Sequence, residues 1–186
     1  MARIRIGATA LWLVGFAGAL ALGGLAFIYS GLYPVAADVP HTALTTWALD
    51  TLREHSVARA SADVDVPSDL ESAKRLLSGG PDYHEMCSGC HLRPGKSKSD
   101  FTLGLYPSPP DLTRPPGEGV DKVDLDRRRF WIIKHGIKAS GMPAWGPGHD
   151  DERIWNMVSF LGRLPEMSPE QYQVLTARGD DEAGHH

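Results

Sequence analysis

The sequence is poor in cysteine, since only Cys87 and Cys90 occur among its 186 residues. A structural zinc site usually brings a second pair of cysteine or histidine ligands at close spacing, and no such pair is visible here. A thioredoxin-like dithiol needs a strand–helix–strand setting, but the sequence has no convincing strand alternation and no internal repeat. The two cysteines are therefore predicted to serve neither purpose.

Basic residues are not in surplus either. The chain has 19 lysines and arginines against 23 aspartates and glutamates, which gives a net charge of −4. Two of the arginines, Arg3 and Arg5, lie at the amino end, so the remainder is more acidic still. Nucleic-acid binding proteins usually carry a basic bias. No nucleic-acid partner is predicted.

Charged side chains are missing altogether from residues 6–37. Within this run, Ala8 to Ile28 is apolar enough to span a bilayer, because about 20 apolar residues match the hydrocarbon thickness. The arginines that precede it predict a cytoplasmic amino end and an exported remainder. The sequence therefore predicts a transmembrane helix whose carboxyl end lies outside the cytoplasm.

A cleaved signal peptide is the competing interpretation, because Val35-Ala36-Ala37 resembles a small-residue cleavage site. The apolar run is longer than the ~7–15 residues of a signal peptide's apolar core, which favours a retained anchor over residues 1–37. Either interpretation puts the rest of the chain outside the cytoplasm.

The five residues Cys87-Ser88-Gly89-Cys90-His91 form an attachment signature for a covalently bound c-type haem. Two thiols three positions apart at the end of a helix can each add to one of the two haem vinyl groups. The adjacent imidazole then becomes the proximal ligand of the iron. The sequence predicts one haem c, attached through Cys87 and Cys90 and ligated by His91.

A second iron ligand is predicted in the segment Gly141-Met142-Pro143. A thioether is a soft, neutral ligand that favours ferrous iron and raises the reduction potential. The proline would stiffen the segment, and the glycine would allow a close approach to the haem. Met142 could instead be a gap-filling core residue, as methionine often is. Weaker candidates for the second ligand are Met86, Met157, Met167, His84 and His135.

The remaining chain is predicted to be all-α. Apolar spacing indicates helices at about Pro40–Ala62, from Ser68 onward, at Asp124–Lys134 and at Asp151–Arg163. Their predicted end signals are an N-cap at Thr42, a capping box of Ser68 and Glu71, a stop at Gly136 and an end at Pro165. A bend or restart is expected at Gly79-Gly80-Pro81.

Three regions are predicted to follow the anchor. Residues 38–67 would form an amphipathic juxtamembrane helix and linker, residues 68–170 the folded domain, and residues 171–186 an acidic, disordered tail. The helix would be a spacer or a subunit-docking helix, or it would simply pack on the folded domain or on the membrane surface. The proline-rich stretch Leu92–Val123 would count against a compact domain, unless a large apolar cofactor forms the core on which loops pack.

With these motifs, the sequence resembles the membrane-anchored, monohaem class I cytochrome c proteins of bacteria over residues 68–169. The resemblance implies an all-α fold of a few helices around one haem. It also implies that Gly79 and Tyr83 on the first helix pack against an aromatic residue of the last helix, here Phe160. A glycine at that crossing lets two helix backbones approach closely.

The resemblance implies further residues around the haem. The carbonyl of Pro110, or else of Pro109, would accept a hydrogen bond from His91 and orient it. Trp145 would donate its indole N–H to a haem propionate or simply form part of the haem wall.

The function predicted from these features is one-electron transfer in a respiratory chain, with no enzymatic activity and no small-molecule substrate. The protein would be held in the bacterial cytoplasmic membrane with its haem domain in the periplasm. Alternatives are a dedicated subunit of a membrane oxidase, reductase or dehydrogenase complex, and a haem gas sensor or peroxidase-like enzyme with an open iron position. Redox proteins would dock on a basic rim, for which the candidates are Arg93, Lys96, Lys98, Lys134 and Lys138. The alternative is that these are scattered, solvated side chains with no docking role.

Overall fold

The computed structural model describes residues 7–177, and these divide between Val39 and Pro40 into two units. The helices are α1 (Ala8–Tyr29), α2 (Ala43–Ser61), α3 (Ala73–Asp82), α4 (Ser88–His91), α5 (Asp100–Gly104), α6 (Lys122–His135), α7 (Asp151–Arg163) and α8 (Pro169–Thr176). A π-helical turn, Tyr83–Cys87, joins α3 to α4, and a 3-10 turn, Leu164–Glu166, follows α7. Residues 7–177 contain no strand, so this part of the chain is all-α as predicted.

The first unit contains α1. This helix has 22 residues and a mean hydropathy of 2.1 over its most apolar window, so its length and composition suffice to cross a membrane. It includes the whole apolar run predicted from the sequence. The helix is consistent with a membrane anchor.

In the second unit, α2 lies against α6. The Thr42 hydroxyl accepts a hydrogen bond from the backbone N–H of Thr45 at 3.3 Å, which confirms the predicted N-cap. An ion pair between Glu54 and Arg128 joins the two helices. The juxtamembrane helix is thus packed on the folded domain.

The core of the second unit is the crossing of α3 and α7. A Cβ atom on Gly79 would lie 2.0 Å from the carbonyl oxygen of Asn156, so only glycine allows the two backbones to approach this closely. The rings of Tyr83 and Phe160 pack at 5.4 Å between centroids. These contacts confirm the helix crossing that the resemblance implies.

The beginning of α3 differs from the prediction. The sequence predicts a helix from Ser68, but α3 begins at Ala73 with Ser72 as its N-cap. Residues 67–72 form turns instead, with Leu70 N–H bonded to the carbonyl of Pro67, and the Leu70 side chain is buried. The second serine, Ser72, supplies the cap in place of Ser68.

The predicted bend at residues 79–81 does not interrupt α3. The helix continues through Pro81 and ends with the N–H of Tyr83 bonded to the carbonyls of Gly79 and Gly80. The π-helical turn follows, where the N–H of Ser88 reaches back five residues to the carbonyl of Tyr83. Proline has no N–H to donate to the turn before it. Pro81 therefore makes no intrahelical hydrogen bond through its own nitrogen, and the helix continues past it.

The two later helices agree with the sequence. Helix α7 has the predicted bounds, and α6 is longer than predicted by two residues at its start and one at its end. Gly136 ends α6 with φ 64°, as a C-terminal glycine does. The apolar periodicity and the stop signals of the sequence were sufficient to predict both helices.

The predicted tail begins too early. Residues 169–176 form α8, which starts with a capping box of Ser168 and Gln171 and buries Tyr172 against Tyr83 and Phe160. A Cβ on Gly80 would lie 2.1 Å from the carbonyl oxygen of Leu175, so α8 approaches α3 closely. The rest of the predicted tail, residues 178–186, lies outside the described residues.

Candidate functional site

A cavity of about 430 Å³ in the second unit brings the candidate site residues together. Those predicted from the sequence that line it are Tyr83, Cys87, Cys90, His91, Pro110, Met142 and Trp145. The other lining side chains are mostly apolar and include Leu105, Leu112, Ile132, Ile133, Ile137 and Leu161. The cavity is therefore an apolar space with a few polar and sulfur-containing groups on its wall.

The two thiols reach this wall from consecutive turns of helix. Cys87 ends the π-helical turn and Cys90 lies in α4, and both are free thiols. Burial, with smaller contributions from Asp82 and Cys90, raises the pKa of Cys87 to about 12. This thiol is therefore protonated at neutral pH.

His91 is oriented by a backbone carbonyl. Its Nδ1 lies 2.9 Å from the oxygen of Pro110, and because a carbonyl can only accept, Nδ1 carries the proton. The other ring nitrogen, Nε2, is then left with a free electron pair for a metal. Burial lowers the pKa of His91, although the Pro110 hydrogen bond opposes the shift, so the imidazole is neutral. The contact is the one that the resemblance implies, made by Pro110 and not by Pro109.

The residue after His91 has a strained backbone. Leu92 adopts φ 69° and ψ −179°, a region that is essentially restricted to glycine and costs roughly 1–3 kcal/mol. The Tyr83 hydroxyl donates to the carbonyl of Leu92 at 2.8 Å, and the Leu92 side chain is buried. Packing and this hydrogen bond together hold the turn that leads the chain away from His91.

Met142 lies in the loop that follows α6. Its carbonyl accepts from Ile137 N–H at 3.1 Å, and its own N–H donates to the Ser140 hydroxyl at 3.1 Å. The loop folds back on Gly136, where a Cβ would lie 2.7 Å from the nitrogen of Ala144. These local backbone contacts direct Met142 to the cavity without a helix.

The weaker ligand candidates separate into two groups. Met86 and Met157 line the cavity, and Met157 is also a fully buried core residue of α7. Met167, His84 and His135 are not among the residues lining it. His84 instead contacts the hydroxyl of Tyr172 at 3.0 Å. A bis-histidine pair within this cavity is therefore not available from the predicted histidines.

Two arginines on the cavity wall were not predicted from the sequence. Arg129 of α6 has a side chain 15% exposed, and its nearest carboxylate, Asp126, is 3.6 Å away. Arg53 comes from α2, which the sequence assigns to a separate juxtamembrane region. Guanidinium groups pair well with carboxylates, so Arg129 suits a carboxylate of a haem. Arg53 already pairs with Asp50 and Glu54, at 3.0 and 3.1 Å. The run Arg127-Arg128-Arg129 gave no signal of which arginine faces the cavity. Whether Arg53 lines the cavity depends on how α2 docks on the domain.

One residue of the predicted basic rim, Lys134, is already paired with a carboxylate. Lys134 forms an ion pair with Asp151 at 2.6 Å and also lies over the ring of Phe130. Lys96, Lys98 and Lys138 are exposed, and Arg93 is half-buried. Lys134 is thus already neutralised by its neighbour.

The residues of the cavity fit a c-type haem. An imidazole nitrogen and a thioether sulfur are the two axial donors of a high-potential haem, and two free thiols three positions apart match its two vinyl groups. The apolar walls suit a porphyrin. Among residues 7–177, no group of three or more histidine, cysteine, aspartate or glutamate side chains could hold a bare metal ion.

Comparison with protein families gives one match. Residues 74–161 match the family described as "Cytochrome C oxidase, cbb3-type, subunit III". Comparisons with curated proteins and with solved structures find no match. The match shows a cytochrome c domain, which implies haem c and electron transport, and it confirms the predicted resemblance to cytochrome c. The matched residues extend from the start of α3 nearly to the end of α7.

Proposed function

For a chain that carries a cytochrome c domain, we propose the role of a one-electron carrier tethered to the bacterial cytoplasmic membrane. One haem c is attached through Cys87 and Cys90, and His91 and Met142 ligate its iron. The haem supplies a single site that accepts and donates one electron. The protein is not an enzyme, since two protein ligands leave no iron position for a substrate.

One observation carries this proposal. Cys87, Cys90, His91 and Met142 all line a single cavity, and the bond to Pro110 leaves Nε2 of His91 free. Histidine–methionine ligation is typical of electron-carrying cytochromes, whereas sensors and peroxidases keep an open or exchangeable position.

The other cavity residues have supporting roles in this proposal. Pro110 fixes the His91 ring and increases its donation to the iron. Tyr83 stabilises the turn after His91 through its bond to the Leu92 carbonyl. Trp145 forms part of the haem wall, and Arg129 offers a guanidinium to a haem carboxylate.

The tether is α1, a helix long and apolar enough to span a membrane. We place its amino end in the cytoplasm because Arg3 and Arg5 precede it, and the haem domain then lies in the periplasm. Covalent haem attachment outside the cytoplasm agrees with this orientation. Redox proteins of the same compartment would be the electron donor and acceptor.

The proposal is tested on full-length protein from cells competent in cytochrome maturation. A pyridine haemochrome spectrum should show one thioether-linked haem per chain, and Cys87→Ser together with Cys90→Ser should abolish it. Carbon monoxide added to the reduced protein should bind slowly or not at all. A colourless protein would refute haem attachment, whereas rapid and tight carbon monoxide binding would favour a gas sensor or a peroxidase-like enzyme.

A second candidate is a dedicated cytochrome subunit of a membrane complex. It is favoured by the matched family, whose description names a subunit of an oxidase. The complex would be an oxidase or, by the same chemistry, a reductase or dehydrogenase. Solubilisation in a gentle detergent followed by identification of co-purifying proteins separates the candidates: stoichiometric partners favour the subunit, and a lone haem protein favours the carrier.

A further inference from the structure

Helix α2 has one face committed to the haem domain. Val57 and Ser61 are each only 3% exposed, and Glu54 forms its ion pair with Arg128 of α6. Arg53 and Glu54 also contribute to the wall of the cavity. The start of the helix is held as well, since His41 N–H donates to the hydroxyl of Tyr106 at 3.1 Å. This inner face fixes α2 on the domain.

A second side of α2 is apolar and exposed. Leu44, Trp47 and Leu52 are 72%, 65% and 67% exposed. Their spacing of three and eight residues puts them on the same side of the helix. At about 100° per residue, Leu44 and Leu52 lie about 140° from Val57 around the helix axis and Trp47 lies about 80° from it. All three stay exposed when α2 is docked on the domain. A tryptophan and two leucines in one stripe are an interaction surface that α2 does not need for its own packing.

The charges of α2 indicate what covers this stripe. His55 and Arg59 continue the exposed side toward the carboxyl end of the helix, and both are exposed. The acidic residues of α2 are paired elsewhere: Asp50 with Arg53 at 3.0 Å, and Glu54 with Arg53 and Arg128. The exposed side is therefore apolar at one end and carries the positive charge of Arg59 at the other. Such a surface is complementary to anionic lipid headgroups above an apolar layer.

The chain order favours the same occupant. Residues 30–42 alone connect the membrane-spanning helix α1 to α2, and they carry one charged side chain, Asp38. A short tether gives α2 an effective concentration at the membrane on the order of millimolar. Tryptophan is enriched at the boundary between lipid and water. Even a weak contact between α2 and the membrane interface would then be populated.

We infer that the Leu44–Trp47–Leu52 stripe lies in the membrane interface, so that α2 separates the haem domain from the lipid. The inference rests on the proposed anchoring by α1. Its consequence is a fixed orientation, in which the cavity wall built from Arg53 and Glu54 is turned toward the membrane. Partners would approach from the remaining sides of the domain.

The test uses the full-length, haem-loaded protein reconstituted into vesicles of zwitterionic and anionic lipid. Leu44→Cys is labelled with an environment-sensitive fluorophore, since Cys87 and Cys90 are consumed by the haem. Leu103→Cys is the matched control, because Leu103 is an equally exposed leucine, at 72%, in α5. Lipids that carry a nitroxide near the interface should quench the label at position 44 at least twofold more than the label at position 103.

Several outcomes would overturn the inference. Equal quenching at the two positions would mean that α2 has no preferred contact with lipid. A label at position 44 that is shielded from a water-soluble quencher but not reached by the lipid nitroxide would mean that a protein surface covers the stripe. Flotation of the protein with alkali-washed vesicles tests the anchor by itself: protein that floats without quenching refutes only the interfacial contact, whereas protein that does not float refutes the tether.

Discussion

The segments that carry His91 and Met142 line the same cavity, but they are held there by different kinds of contact. His91 follows a helix that crosses α7 at Gly79 and is tied to it by an ion pair of Asp82 with Arg153, at 2.7 and 2.8 Å. Met142 lies in a loop whose hydrogen bonds go to residues 137 and 140 and to the end of α6.

Because of this difference, the folding of the domain and the ligation of the iron by Met142 depend on different contacts. The position of His91 depends on contacts between residues far apart in the sequence, so it is as stable as the domain core. The position of Met142 depends on the conformation of a few neighbouring residues, which can change while the helices remain packed. A disruptive substitution in the segment that carries His91 should therefore unfold the domain. A disruptive substitution in the loop that carries Met142 should remove only the ligand from the iron.

The largest effect is expected from Gly79→Ala. The new Cβ would lie 2.0 Å from a backbone oxygen of α7, and backbone cannot move aside as a side chain can. Overpacking typically costs 1–3 kcal/mol, and a backbone clash should cost at least about 3 kcal/mol. We expect the thermal midpoint to fall by at least roughly 10 °C, or no haem-loaded protein to accumulate.

Gly162→Ala is the control for this substitution, since a Cβ there meets nothing within 4 Å. It should leave the midpoint unchanged or raise it slightly, because alanine stabilises a helix by about 0.5–1 kcal/mol relative to glycine. Similar behaviour of the two variants would show that the α3–α7 crossing is looser than its geometry indicates.

The next effect is expected from Met142→Leu, which keeps the size of the side chain and removes its sulfur. The fold should persist, while the midpoint potential should fall by on the order of 100 mV, because the thioether favours ferrous iron. The reduced protein should also gain carbon monoxide binding. Redox titration measures the potential, and Met86→Leu, which alters another methionine of the same cavity, is the control. A larger shift in the control would assign the ligand to Met86.

A smaller effect is expected from Gly136→Ala. Gly136 has φ 64° and ψ −170°, a region essentially restricted to glycine, so alanine should cost roughly 1–3 kcal/mol. The new Cβ would also press on the carbonyl of Met142, at 2.8 Å. We expect folded protein in which a fraction of the iron has lost its thioether and binds carbon monoxide.

Gly119→Ala separates the backbone cost of this change from the displacement of Met142. Gly119 also has a positive φ, 76°, but a Cβ there meets nothing within 4 Å. This control should lower stability without changing the potential or the carbon monoxide binding. Loss of the whole fold in Gly136→Ala would contradict the separation of the two segments.

The sequence was most informative where the signals are local. The bounds of α7 follow from its apolar spacing and Pro165, and the end of α6 follows from Gly136. The attachment motif and the Gly-Met-Pro segment were sufficient to choose the residues that now share a cavity. These patterns depend on only a few neighbouring positions.

The sequence was least informative where two distant segments meet. Ser68 and Ser72 are both good helix caps, and no local signal in the sequence decides between them; the helix begins after Ser72, and Leu70 is buried in the core. The contribution of Arg53 to the cavity depends on the docking of α2 against α6, through an ion pair between residues 54 and 128. No local pattern encodes such a pairing, so the cationic part of the wall could not be predicted.

The smallest effect is expected from Asp111→Asn, which removes a local contact from the His91 segment. Burial raises the pKa of Asp111, but hydrogen bonds from Thr113 and Arg114 and the charge of Arg114 outweigh it, so the pKa lies below its ordinary value of 3.8. A carboxyl group with a lowered pKa stabilises the folded state above the ordinary value, and this stability is lost as the pH falls through the lowered pKa.

The difference in stability between the wild-type protein and Asp111→Asn should therefore be full above about pH 4 and shrink at lower pH. It should not exceed about 1 kcal/mol, because the carboxylate is partly exposed and its ion pair lies at the surface. Thermal unfolding between about pH 2 and pH 6 measures the difference, with Glu118→Gln in the same loop as the control. A large loss, or a shift in potential as large as that of Met142→Leu, would show that the carbonyl of Pro110, and with it His91, depends on this local turn as Met142 depends on its loop. The segments that carry His91 and Met142 would then both be held by local contacts.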